Sequence, residues 1–593
     1  MKNLEFGKTT INDGFWKFYN QLDRKSVVYN VYNRFKETGR FDALKCAWKE
    51  GEPNQPHIFW DSDVFKWMEG VAYLIEQGAE PELEALVDEM IDDVAKNQRE
   101  DGYFNSYYLT IEPDNIFTER HNHELYCLGH GIEAAIAYHK ATKKDKFLNC
   151  MLKNIDMVYD AFITNKTASF ITPGHEEIEL ALLKLYNYLG DKKHLDLARH
   201  FINMRGNNDF EPKETEYQSD VPLRQAENAV GHSVRACYLY TAMAMLAKID
   251  NDSELKEACH RLFNDIVNYK MSVTGGVGAD HNREVFSYKY DLPNSDTYNE
   301  TCAAIALTLF ASAMQEMDNN SVYADVIERV IYNGFISGLS LEGDKFFYTN
   351  PLEIDRKKYA RSTYQPMCQR VKVFGCSCCP PNVVRMLASI QRYAYSIDGN
   401  NVYANQFIDG ETVFEIDGQE CKLIQQTKYP LNGKIAFKYS GKAINLFVRV
   451  PSWCVEFEEK SENGYIKFCL KDGDTVNVDF PMNVHFVEVN PYAQDNSGRF
   501  AVQRGPVVYC MEEIDNGENL RDITLIENSD ITVKMEDNIP APVIYIDAQR
   551  RLPSDKLYSL KNDARQNFTA RLIPYFAFAN RDASDMLVWT MVK

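Results

Sequence analysis

The sequence predicts a multidomain protein in which an (α/α)6 barrel is followed by antiparallel β-sandwich domains. Three observations predict this fold class. From about residue 60 to residue 395 the apolar side chains recur at helical spacing, and near residue 400 the spacing changes to the two-residue period of strands. In addition, a chain of 593 residues with 45% hydrophobic content is too long for a single core. We therefore expect domains at 1–395, 396–490 and 491–593.

Six apolar helix starts define the predicted barrel. Each follows a short polar or glycine-containing element and is succeeded by a second amphipathic segment, so the repeating unit is a helical hairpin. The starts are DSDVFKWMEGVAYL at 61, LGHGIEAAIAYHKA at 128, PGHEEIELALLKLY at 173, VGHSVRACYLYTAMAML at 230, ETCAAIALTLFASAM at 300 and CPPNVVRMLASI at 379. Six such hairpins predict an α/α toroid with the more apolar helices inside.

The starts of the inner helices should gather at one end of such a toroid. Any one polar residue at a start could be a helix cap or a packing residue. Because a closed toroid leaves this rim as its natural pocket, we expect a shared functional site there. The acidic, imidazole and thiol side chains at the rim are Asp61, Asp63, His130, His175, His232, Glu300, Cys302, Cys378 and Cys379.

Beyond residue 400, short strands separated by Gly, Asn and Asp turns predict two sandwiches. Their expected role is to support the barrel, because a fold alone does not assign a function. The predicted strands are TVFEID, KIAFKYS, AINLFVRV, YIKFCL, TVNVDF, FAVQRGPVVYCMEE, VIYIDA and FTARLIPYFAF.

Composition and termini limit the class of protein. The N-terminus, MKNLEFGKTTINDGFWKF, lacks the basic start and apolar core of a signal peptide, and no stretch reaches the roughly 18 apolar residues of a membrane span. We therefore expect a cytoplasmic protein without membrane contacts. A net charge of −21 argues against nucleic acid as a partner. A homodimer is compatible with the sequence, which does not determine the oligomeric state.

Three of the fourteen cysteines fall within four positions of the segment FGCSCCPPN. The two prolines suit the first turn of a helix, so Cys378 and Cys379 should lie at a helix N-terminus, where the dipole favours thiolate. With Glu300 and Cys302 of the sequence ETC they offer one carboxylate and three sulfurs, a ligand set that favours zinc. A buried cluster without metal and a redox pair remain open. Cys376 could be a spare ligand or a packed core thiol, and we expect the core thiol.

Longer motifs over nearly the whole chain carry a family resemblance. They are DSDVFKWMEG, QREDGYFNSYY, HELYCLGH, GHEEIELAL, AVGHSVRA, YDLPNSDTYNETCAAIA, DVIERVIYNG, FFYTNPLE, FGCSCCPPN, VQRGPVVY and RLIPYFAFANR. Together they resemble glycoside hydrolase family 127, the β-L-arabinofuranosidase family. The paired cysteines before two prolines, preceded by ETC, are specific to that family and its close relatives. The resemblance implies an (α/α)6 barrel with β-sandwich domains, a zinc ion and a cysteine nucleophile.

The resemblance also implies catalytic and metal-binding roles for individual residues. Its zinc ligands correspond to Glu300, Cys302, Cys378 and Cys379, and Cys378 is also the implied nucleophile. Glu284, in the segment NREVF, falls at the position of the general acid/base. NREVF departs from the expected family pattern, in which a small residue or glycine stands near this glutamate.

Substrate-binding roles follow from the same resemblance and from the barrel rim. The histidines of HELY, GHEE and VGHS, which are His123, His175 and His232, correspond to sugar-binding positions. Tyr348 in FFYTN should lie close to the reacting sulfur, and Asp61 at the rim is a further substrate-binding candidate. The neighbouring rim histidine of LGHG is expected to be a packing residue instead.

The expected function is that of a retaining glycosidase that releases terminal β-L-arabinofuranosyl groups from short glycans, with small oligosaccharides or glycosides as substrates. One alternative is a carbohydrate-active enzyme of the same toroid fold that acts on a different sugar and keeps zinc as a structural ion. In that enzyme, acid pairs such as Asp61 and Asp63 or Glu176 and Glu177 would do the chemistry. Another alternative is a non-catalytic carbohydrate-binding protein with a structural metal.

Overall fold

A computed structural model of the protein describes residues 1–359, 368–372, 375–457, 463–561 and 564–593. Within these residues the N-terminal two thirds are mainly helical, and three β-sheets account for most of the remainder. The predicted order, a helical domain followed by β-rich domains, is confirmed. None of the described helices combines the length and the apolar character needed to cross a lipid bilayer.

The α-helices of the described residues are α1 (Gly14–Leu22), α2 (Val28–Glu37), α3 (Arg40–Ala43), α4 (Trp60–Gln77), α5 (Pro81–Asn97), α6 (Ser106–Thr110), α7 (Glu124–Thr142), α8 (Lys146–Tyr159), α9 (Ile178–Leu189), α10 (Lys192–Met204), α11 (Ser233–Asp250), α12 (Ser253–Tyr269), α13 (Thr301–Met317), α14 (Ser321–Arg329), α15 (Arg356–Tyr359), α16 (Cys379–Ala388) and α17 (Glu513–Asn516).

Six apolar helices among the described residues contact one another in a closed order. Helix α4 packs on α7, α7 on α9, α9 on α11, α11 on α13, α13 on α16, and α16 returns to α4. They are the six helices whose starts the sequence predicts, and most of their side chains are buried. Helices α5, α8, α10, α12 and α14 each pack on the apolar helix that precedes them. These outer helices bury a single face, as expected for amphipathic helices at a surface.

The first 45 residues contribute elements that the sequence analysis did not predict. Helix α2 packs against both α4 and α16 and so adds a further helix outside the closed ring. Two short strands at the N-terminus, β1 (Lys2–Asn3) and β2 (Thr9–Ile11), pair with strands nearly 400 residues later, with Lys2 opposite Ile397 and Thr9 opposite Thr412. The N-terminal segment therefore belongs to the sheets as well as to the helical domain.

The other strands are β3 (Glu353–Ile354), β4 (Tyr395–Asp398), β5 (Asn401–Ala404), β6 (Gly410–Ile416), β7 (Gln419–Thr427), β8 (Lys434–Ser440), β9 (Ile444–Arg449), β10 (Tyr465–Leu470), β11 (Thr475–Asp479), β12 (Val484–Glu488), β13 (Phe500–Arg504), β14 (Val507–Glu512), β15 (Thr524–Leu525), β16 (Thr532–Lys534), β17 (Val543–Arg551), β18 (Arg565–Pro574), β19 (Met586–Leu587) and β20 (Met591–Val592).

The strands form three sheets in the described part of the chain. The first has the order β1-β4-β5-β9-β10 and the second the order β11-β8-β7-β6-β2. The third runs β12-β13-β14-β18-β17-β15-β20, with β16 paired to β17, β19 to β14, and β3 to β19. Buried and exposed residues alternate along strands such as β6 and β8, which is the pattern of a sheet with one face in the core. Through β3 the helical domain also shares the third sheet.

Candidate active site and metal centre

The N-termini of α13 and α16 bring one carboxylate and three thiols together. Cys378 Sγ lies 3.3 Å from Glu300 Oε1, and Cys379 Sγ lies 3.4 Å from the same oxygen. Cys302 Sγ lies 3.4 Å from Cys379 Sγ, and the sulfurs of Cys378 and Cys379 are 3.8 Å apart. The four potential ligand atoms all lie within 4.8 Å of one another. The structure thus assembles the four residues for which the sequence predicts metal binding.

Local backbone geometry explains why these residues converge. Glu300 is the N-cap of α13 and has extended dihedral angles, φ −62° and ψ 142°, whereas Cys302 lies inside the first turn. Two residues separated by two positions do not face each other within a helix, so the cap conformation is what lets both side chains reach one point. Cys378 is the N-cap of α16, and prolines occupy the first turn, as the sequence predicts.

The geometry of the cluster suits a soft, tetrahedrally coordinated metal ion. A zinc–sulfur bond of about 2.3 Å implies ligand atoms about 3.8 Å apart around a tetrahedron. The sulfur–sulfur distances of 3.4 and 3.8 Å are close to that value. Tyr298 donates its hydroxyl hydrogen bond to Glu300 Oε2 and leaves Oε1 facing the sulfurs. Such an outer hydrogen bond orients a ligating carboxylate, and the cluster can therefore hold a metal ion.

Burial, hydrogen bonding and nearby charge act differently on the pKa values of the thiols. Burial opposes ionisation of Cys302, but hydrogen bonds from Cys378 and Cys379 and the charge of Lys66 hold its pKa well below the usual value. Hydrogen bonding to Cys302, Cys376 and Cys379 instead raises the pKa of Cys378 well above the usual value. The hydrogen bonds among the thiols therefore favour the ionised form of Cys302 and the neutral form of Cys378.

A cavity of about 200 Å³ adjoins the cluster. All six helices of the closed ring contribute to it at, or just before, their N-termini, so the predicted rim is where the cavity lies. Its lining residues are Phe59, Ser62, His123, Tyr126, His175, His232, Val234, Arg235, Glu284, Glu300, Cys302, Tyr348, Cys376 and Cys378.

Glu284 reaches this cavity from a loop with unusual backbone geometry. Its φ of +63° lies in the left-handed region, which few non-glycine residues adopt. Ser233 N donates a 3.0 Å hydrogen bond to the carbonyl oxygen of Glu284 and holds the loop on the start of α11. Glycine adopts such a conformation at less cost than glutamate does.

Two side chains hold the Glu284 carboxylate. His232 Nε2 lies 2.9 Å from Glu284 Oε2, and Tyr348 donates a 3.2 Å hydrogen bond to Oε1. Burial opposes ionisation of Glu284, but these hydrogen bonds outweigh it, and its pKa lies below the ordinary value. The structure therefore joins three predicted site residues, Glu284, His232 and Tyr348, in one hydrogen-bonded group.

Three predicted histidines line one wall of the cavity. The ring centroids of His123 and His175 are 5.0 Å apart, and those of His175 and His232 are 5.8 Å apart. Burial lowers the pKa of all three, so each imidazole is neutral at neutral pH and offers one donor and one acceptor. His123 Nδ1 has no hydrogen-bond partner within the described residues. This wall can exchange hydrogen bonds with a ligand that carries hydroxyl groups.

Other acidic and imidazole residues of the predicted rim are engaged behind the cavity. Asp61 accepts a 2.7 Å hydrogen bond from Ser106 N, and burial raises the pKa of Asp61 to about 6. Asp63 pairs with Arg40 at 2.9 Å. His130, as expected for a packing residue, is fully buried on α7. In the described structure neither Asp61 nor Asp63 belongs to the cavity lining.

The prediction that Cys376 is a packed core thiol is wrong. Cys376 is exposed, lines the cavity, and has its Sγ atom 3.9 Å from Cys378 Sγ. The chain bends at Cys376, three residues before α16 begins, so this side chain is not packed between elements.

Sequence reasoning missed several residues of the site. Tyr126 and Arg235 line the cavity, and each follows a predicted histidine by three positions, His123 and His232 respectively. Residues three apart near a helix start lie on the same side, so the helical period could have found both. Tyr298, the partner of the ligating carboxylate, lies in a loop where no periodic signal exists.

Comparison with protein families agrees with this architecture along the chain. Residues 8–392 match the catalytic domain model of β-L-arabinofuranosidases of glycoside hydrolase family 127. Residues 401–482 match the middle domain of the same family, and residues 484–591 match its C-terminal domain. Together with the carboxylates and thiols around the cavity, these matches define a glycoside hydrolase.

Individual proteins that are similar to this chain identify its glycoside hydrolase family. A non-reducing end β-L-arabinofuranosidase from Bifidobacterium longum subsp. longum is 32% identical over 591 residues, which cover 90% of this chain and 89% of that protein. A GH127 β-L-arabinofuranosidase structure from Geobacillus stearothermophilus T6 is 37% identical with a TM-score of 0.94, covering 99% of this chain and 100% of the other. Another solved GH127 β-arabinofuranosidase is 32% identical with a TM-score of 0.92, covering 100% and 98%. The chain belongs to glycoside hydrolase family 127, as the sequence motifs predict.

Proposed function

We propose that this protein is a retaining glycosidase that releases terminal β-L-arabinofuranosyl groups from short glycans, with Cys378 as the nucleophile. The observation that carries the proposal is that Cys378 and the hydrogen-bonded Glu284 carboxylate line one cavity. Its volume of about 200 Å³ is below the roughly 300–1,000 Å³ of pockets for drug-sized ligands and suits a single sugar ring. The choice of sugar rests on the activity for which the relatives are named.

The proposed reaction has two displacements. In the first, the Cys378 sulfur attacks the anomeric carbon, the glycosidic bond breaks, and Glu284 gives its proton to the departing oxygen. In the second, Glu284 takes a proton from water, the water oxygen bonds to the anomeric carbon, and the carbon–sulfur bond breaks. Two inversions retain the configuration, as in glycosidases with a carboxylate nucleophile.

Glu284 must carry a proton for the first step. Because the hydrogen bonds from His232 and Tyr348 hold its pKa below the ordinary value, it is ionised before substrate binds. Glu284 therefore takes up its proton from water as the substrate binds, and His232 Nε2, 2.9 Å from the carboxylate, orients the carboxyl group for the transfer. The loop with positive φ then serves to keep Glu284 within reach of both His232 and the sugar.

We propose zinc as the ion of the metal cluster, held by Glu300, Cys302, Cys378 and Cys379. Bound zinc supplies the positive charge that keeps the Cys378 sulfur as a thiolate at neutral pH. With four protein ligands the ion would have no open position for the substrate, so sugar recognition would fall to the protein. The substrate-binding residues that we propose are His123, His175, His232 and Tyr348. Asp61, bound to Ser106, supports the pocket from behind.

The finer architecture belongs to the same proposal. We propose an (α/α)6 barrel at 1–395 and β-sandwich domains at 396–490 and 491–593. The closed order of six apolar helices and the alternating burial along the strands support it. Strands β1 and β2 extend the first sandwich with residues from the N-terminus.

The alternative of a carboxylate-pair enzyme has no support from a specific contact. Asp63 pairs with Arg40, and Glu176 pairs with Arg205 at 2.6 Å in a fully buried position. These acids belong to ion pairs outside the cavity lining of the described chain.

The deciding experiment combines substrate profiling with mass spectrometry. A panel of aryl glycosides should give cleavage of the β-L-arabinofuranoside, with the product of retained configuration. After acid quenching with a slow or mechanism-based substrate, a sugar adduct should map to the peptide that contains Cys378. An adduct on Glu284 or another carboxylate, or a product of inverted configuration, would disprove the thiolate mechanism. Cleavage of another sugar alone would disprove the substrate.

A further inference from the structure

Lys66 is a buried cation without a hydrogen-bond partner. Lys66 lies on α4 and is 0% exposed. Its Nζ atom has no hydrogen-bond partner among the residues that the structure describes. Buried ammonium groups are normally paired, because desolvation of a charge is costly. Lys270, which is 7% exposed, follows this rule and lies 2.8 Å from Asp265 Oδ2 and donates a 2.8 Å hydrogen bond to the carbonyl oxygen of Ala229. The lone ammonium of Lys66 therefore calls for a different compensating charge.

The ammonium of Lys66 lies beside a residue of the cavity that adjoins the thiol cluster. Its Nζ atom is 4.8 Å from the ring centroid of Tyr126, a residue of the cavity lining. Burial by itself would lower the pKa of Lys66, but negative charge on Cys378, Asp63 and Cys302 raises it above the usual value. Lys66 in turn lowers the pKa of Cys302. Helix α4, which carries Lys66, packs on α16, whose N-cap is Cys378, and this packing brings the ammonium to the side of the thiol cluster.

The proposed metal cluster has an excess of negative charge. One carboxylate and three thiolates around a divalent ion leave two negative charges. Glu300 and Cys302 are 1% and 2% exposed, so water screens little of this charge. The hydrogen bonds that Glu300 accepts in the described structure come from Tyr298 and from thiols, which carry no positive charge. A buried anionic cluster of this kind needs a cation nearby.

We propose that Lys66 is the buried counter-charge of the metal cluster. It is a positioning residue: its positive charge offsets the net negative charge of the ligand set and so favours binding of the ion. Lys66 is not among the residues that line the cavity, so its influence reaches the sugar only through the cluster. This inference rests on the proposed metal role and adds to it a residue outside the ligand set.

The test compares metal affinities of the wild type, Lys66→Met, Lys66→Arg and Lys270→Met. Methionine keeps the length of the apolar stem and removes the charge, arginine keeps the charge, and Lys270→Met removes a buried ammonium elsewhere. Zn²⁺ affinity is measured by competition with a chromophoric chelator, and Co²⁺ loading gives the sulfur-to-cobalt charge-transfer band. Lys66→Met should lose at least about tenfold in Zn²⁺ affinity, as outer residues of metal sites do.

A variant that keeps a positive charge at position 66 should keep its affinity for Zn²⁺. Lys66→Arg and Lys270→Met should bind Zn²⁺ close to wild-type affinity, and Lys66→Met should show a weaker charge-transfer band than either. Circular dichroism and thermal unfolding of the metal-free proteins establish which variants fold. Wild-type Zn²⁺ affinity in Lys66→Met, or equal loss in folded Lys66→Arg and Lys66→Met, would overturn the role of Lys66. A wild-type protein that binds neither ion would instead refute the proposed metal centre.

Discussion

Two buried clusters in the described helical domain place potential ligand atoms close enough for a metal ion, and they differ in charge balance. One consists of Glu300 and the three thiols, and the other of Glu69, His130 and Glu133. In the second cluster, Arg385 Nη1 lies 2.8 Å from Glu69 and 3.0 Å from Glu133, and Lys184 also pairs with Glu133. The hydrogen-bond donors to the first cluster include thiols, the Tyr298 hydroxyl and the Asn382 amide, none of which carries a positive charge.

The two clusters have similarly close ligand atoms but differ in the charges that surround them. Burial opposes ionisation of Glu133, but Lys184 and Arg385 hold its pKa below the ordinary value, so its charge is already neutralised by protein cations. Arg385 joins α16 to α4 and α7, and Lys184 joins α9 to α7. The second cluster therefore stabilises the closed ring of helices, whereas the first keeps negative charge available for an ion.

The largest expected effect is a loss of turnover when a residue of the first cluster is substituted. Cys378→Ser should lower kcat by at least about a thousandfold, because a serine hydroxyl is far harder to ionise than a thiol and the nucleophile is lost. Steady-state kinetics with an aryl β-L-arabinofuranoside measures the loss. Cys469→Ser, at an exposed cysteine of β10, is the matched control and should keep wild-type turnover. Substantial activity in Cys378→Ser would show that the first cluster is not the chemical centre.

Glu284→Gln separates the two displacements. The amide cannot transfer a proton, so the loss should be about 100- to 10,000-fold for substrates with poor leaving groups. With a nitrophenyl leaving group the first step should be spared and the sugar adduct should accumulate. Burst kinetics and intact-mass measurements follow the adduct. Equal losses for good and poor leaving groups would assign Glu284 to substrate binding instead.

Substitution in the second cluster should lower the free energy of unfolding. Arg385→Met leaves Glu69 and Glu133 buried without this partner, and loss of one partner of a buried ion pair typically costs about 3–5 kcal/mol of unfolding free energy. Urea unfolding followed by circular dichroism provides the measurement. Lys144→Met is the control, because Lys144 pairs with Asp88 at the surface and such pairs contribute at most about 1 kcal/mol. Similar losses in both variants would contradict the stabilising role of this cluster.

The smallest expected effect concerns metal content. If charge balance selects the site, the wild type contains one zinc ion per chain, and Glu69→Gln retains it, because the second cluster binds none. Elemental analysis of protein purified without chelators or added metal gives the stoichiometry. Two ions per chain in the wild type and one in Glu69→Gln would make both clusters metal sites and remove the contrast between them.

The sequence predicts the site elements well where local rules act. The starts of α4, α7, α9, α11, α13 and α16 follow from apolar periodicity and polar caps, and the cysteine cluster follows from its position before two prolines. Glu284 comes from the family resemblance alone, because its loop has no periodic pattern and its positive φ has no signal in NREVF.

Long-range contacts account for most of what the sequence did not predict. Arg385 and Glu69 are 316 positions apart, and no local pattern links them. The same holds for β1 and β2, which are too short to be recognised without their partners. Cys376 was misassigned because its neighbours Cys378 and Cys379 are ordered by the helix start, whereas Cys376 lies on the bend before it.

The pairing of β1 and β2 with strands near residue 400 also bears on the order of events during synthesis. Lys2 lies opposite Ile397, so during synthesis this strand waits for its partner through nearly 400 further residues. At 5–20 residues per second this is roughly 20–80 s. Helix α16, which closes the ring onto α4, is made immediately before β4. Completion of the ring and capture of the N-terminus therefore fall at the same stage of translation.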